Sequence, residues 1–270
     1  MKAKKVLFIN QEIIPYVPES ELSQMGRILP QSIQEKGYEI RTFMPKWGNI
    51  NERRGQLHEV IRLSRMMLII DETDHPLIIK VASIPATRIQ VYFIDNDDYF
   101  TKRLMGEDEN GVEYDDNGER AIFFARGVLE TVKKLRWTPD IIHCQGWMSA
   151  IVPLYIKSAY QDEPSFANTK VVTSLFGGGL KGGLGDNFKQ CLDYKNVSGK
   201  LLENYDSDFN FTELCKLAID YSDGIVEVSD NVDKDIMAYA EKSGLPLFKH
   251  VGGDDMSDRY DEFYDLIFDK

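Results

Sequence analysis

Two periods of apolar residues divide this chain. Short β-branched runs recur at residues 6–10, 39–44, 90–94, 141–144, 171–175 and 225–228, and between them apolar residues repeat at helical spacing. That alternation predicts an α/β fold with a doubly wound, mainly parallel sheet. Between the first two runs, Leu22, Met25, Ile28, Leu29 and Ile33 form a helical stripe, with Glu19 and Glu21 near its start and Gly37 just past its end. Pro30 lies inside the pattern and is expected to kink the helix. The clearest stripe, Ala121, Phe124, Ala125, Val128, Leu129, Val132 and Leu135, predicts a helix over 117–135 packed on the sheet and capped by Asp116 or Asn117. Residues 57–70 and 77–84 read as extended segments joined by a polar turn at 71–75, an antiparallel extension of the sheet. From residue 254 the chain is dense in acids, yet Tyr260, Phe263, Tyr264, Ile267 and Phe268 keep helical spacing. The expected organisation is a domain over 1–253 with an acidic helix, 254–270, docked on it.

Charge narrows the choice of partner. The 270 residues carry 44 acids and 32 bases, a net charge of −12. Nucleic acid and anionic membrane surfaces need the opposite sign, and both are excluded as partners. With 43% apolar residues there is ample material for a core. No apolar run approaches the roughly eighteen residues of a membrane span, and the run behind the basic N-terminus, Val6 to Ile9, is too short for a signal peptide. Cys144, Cys191 and Cys215 show no CxxC spacing, which argues against a disulfide framework or a zinc site. A cytoplasmic protein is the expectation.

Ligands of an open α/β sheet bind beyond the carboxyl ends of the strands, so the residues after each strand carry the chemical candidates. The first such loop runs from Gln11 to Leu22 and enters a helix, but it contains no glycine and holds Glu12, Glu19 and Glu21, so it reads as a structural turn rather than an anion cradle. Asp95-Asn96-Asp97-Asp98 contains the DxD pattern of a metal clamp; a solvated acidic turn is the favoured reading. His143 and Cys144 point to opposite faces of one strand and cannot act as a base and nucleophile pair, while His58, His75, His143 and His250 show no ligand spacing. No metal and no cofactor is expected. The stretch 176–185 has six glycines and Lys181 but lacks the Walker spacing, so a flexible or interaction loop is preferred over a phosphate loop.

Taken in order, Val91 to Asn96, Tyr99-Phe100, Tyr114 to Asn117, Glu119-Arg120, Phe123-Phe124 and Trp137 to Cys144 form a colinear series. With Glu12, Pro15, Leu29-Pro30, Val152 to Tyr155, Ser222-Asp223-Gly224 and Val228-Ser229, the series resembles the bacterial glycogen synthases and plant starch synthases over residues 3–230. These enzymes transfer glucose from ADP-glucose to an α-1,4-glucan. The resemblance implies a Rossmann-like domain equivalent to the N-terminal, acceptor-side half of a GT-B glycosyltransferase, with proline-kinked helices at Pro30 and Pro153.

Several residues depart from the family pattern. Where the family has Lys-x-Gly-Gly-Leu after the first strand, this chain has Pro18-Glu19-Ser20-Glu21-Leu22; its His-x-x-Asp-Trp-His or Gln appears as His143-Cys144-Gln145-Gly146-Trp147-Met148; its Thr-x-His-Asn appears as Thr173-Ser174-Leu175-Phe176. The resemblance implies that the donor-binding residues stand on a second domain, whose start Val251 to Asp254, close to the end of the sequence, weakly resemble. The expectation is a pseudoenzyme of glucan metabolism that does not transfer glucose alone, with an α-glucan or a full-length glycosyltransferase as partner. An interaction module, or one half of a split enzyme, is the alternative. The candidate substrate-binding residues are Glu12, Tyr16, Trp147, Gly177 and Gly178; for Trp147 a core role competes with a sugar platform.

Overall fold

The computed structural model describes residues 4–268. Ten strands form the sheet: β1 (Lys5–Asn10), β2 (Glu39–Pro45), β3 (His58–Glu59), β4 (Met66–Ile70), β5 (Thr73–Ser83), β6 (Gln90–Asp95), β7 (Ile141–Gln145), β8 (Lys170–Leu175), β9 (Gly224–Glu227) and β10 (Leu247–Lys249). Eight helices accompany them: α1 (Glu21–Glu35), α2 (Glu52–Gly55), α3 (Asn117–Lys134), α4 (Val152–Lys157), α5 (Phe188–Cys191), α6 (Phe211–Asp220), α7 (Lys234–Lys242) and α8 (Met256–Phe268). The strand order is β10-β9-β8-β7-β1-β2-β6-β5-β3, with β4 paired to β5. Strands β10 to β6 are parallel and β3, β4 and β5 antiparallel, so the expected doubly wound sheet with an antiparallel extension is present. Growth of the sheet starts at β1, runs outward through β2 and β6, then returns to add β7, β8, β9 and β10 on the other side.

That reversal buries β1 on both faces. Val6 and Phe8 join a cluster with Met25 and Leu29 of α1 and Tyr260 and Tyr264 of α8, while Leu7 and Ile9 join the larger core around α3. α8 therefore belongs to the core: Tyr260, Phe263, Tyr264 and Ile267 are buried, and Phe268 packs at the cluster's edge. His143 points into this layer and Cys144 into the other, as strand alternation requires. The imidazole is fully buried, with Nδ1 2.7 Å from the Tyr264 hydroxyl and Nε2 2.7 Å from Ser174 Oγ.

The antiparallel region differs from expectation. Residues 57–70 do not form one extended segment: β3 has only two residues, and the chain turns at Ile61 to Leu63 before β4. The expected polar turn at 71–75 contracts to Asp71 and Glu72, both at positive φ (44° and 63°), the geometry that suits a two-residue hairpin to twisted strands. Ser20, not an acid, caps α1, with Ser23 N donating to Ser20 Oγ and Ser20 N to Ser23 Oγ. Helix α1 continues through Pro30, whose missing N–H leaves the Gly26 carbonyl without its usual donor. Pro153 falls in the first turn of α4, where it removes no helix bond. Asp116 stands before α3 but makes no capping bond, because Arg103 holds both its oxygens. Among the described residues no helix is long and apolar enough to cross a membrane.

Burial holds the His143 imidazole well below its ordinary range, at about 3. Because the folded value is lowered, the unfolded chain binds a proton between roughly pH 6.5 and 3 that the native chain does not, and stability falls as pH drops through that window. Wild-type protein should lose about 1.4 kcal/mol per pH unit more than His143→Gln between pH 6 and 4. Unfolding free energies from denaturant titration that change equally with pH in the two proteins over that range would contradict this.

Candidate functional site

The site grows out of the ends of β1, β7 and β8. Past β1 the ladder continues for one more bond, Gln11 N donating to Gln145 O at 3.0 Å, and Trp47 Nε1 then takes the Gln11 carbonyl at 2.9 Å. After β7 the chain must turn at once. Gly146 does so at φ 86°, and a Cβ there would stand 2.7 Å from Gln11 Cβ, so only glycine allows the two strand ends to lie together. The turn delivers Trp147 to a single 3₁₀ turn, Trp147–Ser149. On the other side, Gly26 lets α1 lie directly on the loop after β1, where a Cβ would meet Glu12 O at 2.1 Å.

These elements enclose a cleft of about 520 Å³ at the switch point of the sheet. Its floor is apolar, with Leu175, Phe211, Val232 and Ile236 among its residues, and its rim carries Glu12, Glu21, Glu107 and Glu113 against one cation, Lys181. Two of these acids, Glu12 and Glu21, are held in place by neighbouring side chains. Ser20 Oγ donates to Glu12 Oε2 at 2.6 Å, Gln11 Nε2 to Glu12 Oε1 at 3.1 Å, and Ser229 Oγ to Glu21. Glu21 sits in the first turn of α1, where it meets the positive end of the helix dipole. An incoming anion would find that end already neutralised.

Of the residues singled out from the sequence, Glu12, Trp147, Gly177 and Gly178 line this cleft together. At Gly177 a Cβ would meet only the amide end of the exposed Asn231 side chain, which is free to swing aside; Gly178, at φ 83° with open space around it, makes the turn. Tyr16 is elsewhere. A tight turn, with Tyr16 N donating to Ile13 O, carries it into a second hollow beside Asn51 and Arg54, its ring edge-on to Phe93 at 4.9 Å. Burial pushes its hydroxyl up to about 12. Trp147 is 8% exposed and part of the main core, with one edge on the cleft.

Asp95, which opens the DxD pattern, is buried against Lys80 at 2.8 Å and accepts from Asn96 N, so it serves the strand end. Among the described residues no group of three or more His, Cys, Asp or Glu side chains is placed to hold a metal ion. Residues missed at the sequence level are Gln11, Trp47 and Glu113. Gln11 had a signal, its position next to the strand end; Trp47 and Glu113 reach the site from distant loops that no local pattern connects to it.

Two substitutions test this geometry. Trp147→Ala should cost about 3–5 kcal/mol, as for a core aromatic, measured by denaturant unfolding; a loss below about 1 kcal/mol would mark it as a surface platform instead. Gly146→Ala should cost about 2 kcal/mol or more, through positive φ and overlap with Gln11, and a stability within error of wild type would refute the constraint.

Comparison with known proteins fits the geometry. The family described as the starch synthase catalytic domain matches residues 5–248. The glycogen synthase of Chlorobium luteolum is 38% identical over 198 residues, which is 73% of this chain and 40% of that protein. The glycogen synthase of Chlorobaculum parvum is 34% identical over 240 residues, 88% of this chain and 48% of its own length. This chain thus spans less than half the length of these curated relatives. The catalytic domain of starch synthase IV from Arabidopsis thaliana, bound to ADP and acarbose, superposes with a TM-score of 0.74 over 94% of this chain and 52% of its own, at 17% identity, which speaks to fold alone. The sheet is accordingly that of a Rossmann-like GT-B half, and the chain belongs to the starch synthase catalytic domain family.

Proposed function

We propose that this chain is a glucan-handling domain of α-1,4-glucan metabolism, and that the residues described here bind the sugar polymer without holding ADP-glucose. The observation that carries this reading is the charge of the cleft. Four carboxylates and one lysine surround the place at the strand ends where a ligand of this fold sits. A diphosphate entering there meets net repulsion, at about 4 kcal/mol per unit charge pair at 4 Å in a surface environment. A glucan is uncharged, and fixed carboxylates are good acceptors for its hydroxyls. The apolar floor offers the complementary surface for the faces of sugar rings.

Starch synthase IV holds both a nucleotide and an oligosaccharide analogue, ADP and acarbose. Carried to this chain, the reading keeps the second class and gives up the first. Ser20 and Glu21, where the family resemblance places glycines, add side chains where backbone amides would have approached a phosphate, and the carboxylate of Glu21 repels it. Met148, in the place of the family's polar residue, is fully buried and offers no polar side chain to a transferred sugar.

Native gel electrophoresis through amylopectin or glycogen should retard the chain, and Glu12→Ala should weaken that retardation several-fold without a large change in melting temperature. Migration unaffected by any α-glucan would refute glucan binding. Calorimetry with ADP-glucose should show no binding in the micromolar range, whereas a clear isotherm, or glucose incorporated into a primer by this chain alone, would refute the loss of the donor.

A further inference from the structure

The glycine-rich stretch after β8 walls the cleft, and two of its backbone amides meet on one side chain. Lys181 N donates to Glu113 Oε1 at 2.7 Å, and Gly182 N donates to Glu113 Oε2 at 2.6 Å. Two consecutive amides converge on one carboxylate, each on its own oxygen. Backbone N–H groups arranged in this way bind phosphate and carboxylate groups generally. A side chain at Gly182 would crowd the seat, since a Cβ would stand 2.9 Å from Glu113 Oε2.

Glu113 belongs to a small hairpin across the mouth of the cleft. Glu107 and Glu113 form its antiparallel bridge, and Asp108 Oδ1 ties the turn by accepting from Asn110 N and Val112 N. The base of the hairpin lies over Trp147: a Cβ on Gly106 would be 3.5 Å from Trp147 Cζ2 and 3.4 Å from Leu180 Cδ2. One carboxylate therefore fastens the hairpin to the glycine loop, and together they cover the edge of Trp147.

We propose that the amides of Lys181 and Gly182 form an oxyanion seat, that Glu113 fills it in the free protein, and that an external phosphate or carboxylate displacing Glu113 releases the hairpin from the cleft. The occupant is tethered, so it competes at an effective concentration in the millimolar range. Neighbouring Glu107 and Asp115 raise the threshold for a free anion further, while the exposed Lys181 side chain beside the seat lowers it. Inorganic phosphate, with more charge and more oxygens than a carboxylate, is the suitable probe. The seat would thus admit an anion at the rim of a cleft whose interior repels one, and the anion would act on access rather than as substrate.

The test uses the full chain, labelled with ¹⁵N, as wild type, Glu113→Ala and Glu113→Gln, titrated with phosphate at constant ionic strength against chloride. In Glu113→Ala the Lys181 and Gly182 amide resonances should shift, with half-saturation at least tenfold lower in phosphate than in wild type. Glu113→Gln keeps the side chain's size and one acceptor oxygen and should fall between the two, which guards against a folding defect in the alanine variant. Hydrogen exchange over residues 104–115 should accelerate in Glu113→Ala, and in wild type once phosphate saturates. Amides of Lys181 and Gly182 that ignore phosphate in Glu113→Ala, or that respond alike in all three proteins, overturn the seat. Unchanged exchange over 104–115 overturns the release. None of these readouts requires glucan, so they stand or fall separately from glucan retardation.

Discussion

The structure depends on one constraint, that β1 is buried on both faces. All four of Val6, Leu7, Phe8 and Ile9 are fully inaccessible, two to each side. Each such side chain contributes about 1.5–3 kcal/mol only if both layers of cover are present. One cover is α3 with the core around it, and the other is α1 with α8. The same central position makes β1 the strand from which the sheet grows in both directions, so the loops after β1 and β7 leave on opposite sides and open a crevice between them. Core and cleft have a single origin. It also follows that the aromatic stripe of α8 is as necessary to β1 as any strand neighbour.

Arg120 sets how rigid the rim of that crevice is. It is fully buried on α3, and its guanidinium donates to the carbonyls of Tyr99, Leu104 and Met105 and to Asn117 Oδ1. The carboxylates near it along the chain are engaged elsewhere, Glu119 by the Tyr99 hydroxyl and Asp116 by Arg103, so Arg120 is satisfied by dipoles and by the faces of Trp47 and Tyr114. Burial pushes it down to about 9. A buried cation is tolerable only when its donors are used, and here they fasten the foot of the 106–114 hairpin. The tip has no such anchor: Val112 is 62% exposed, and beside the foot the Glu113 carboxylate reaches across to two amides of the glycine loop. A hairpin rigid at its foot, free at its tip and tied to the glycine loop by one exchangeable carboxylate can move without disturbing the core.

Much of this was legible in the sequence because strands and helices of an α/β fold are local patterns. The runs at 6–10, 141–144 and 171–175 gain only a residue at an end when they become β1, β7 and β8, and the stripe that begins at Ala121 is α3, with Leu135 at its C-cap. Where reading failed, a distant partner decided. Asp116 looked like a cap until Arg103 claimed it, and Tyr16 looked like a rim residue until the turn at Ile13 carried it to another hollow. The segment 57–70 has the composition of a strand, but only the parts that find a partner on β5 became one. Glu113 could not be found at all. It is an ordinary acid in an acidic chain, and its importance lies in two amides nearly seventy residues away.

Topology decides where a ligand of this fold goes, and a handful of side chains decides which ligand it is. The hydrogen bonds that a cleft gains with a sugar hydroxyl are worth about 1 kcal/mol each, whereas a misplaced charge beside a phosphate costs several times that. Two or three substitutions at strand ends can therefore reverse the preference of a site without touching the sheet beneath it. Glu12 and Glu21 at this cleft are not loose surface charges: Ser20 and Gln11 hold the first and Ser229 the second, and Ser20 caps α1 with the same oxygen that donates to Glu12. Because one hydroxyl serves both the helix and the acid, the negative rim is built into the start of α1. Turning it into an anion-binding loop would require remaking the cap of the helix that covers β1.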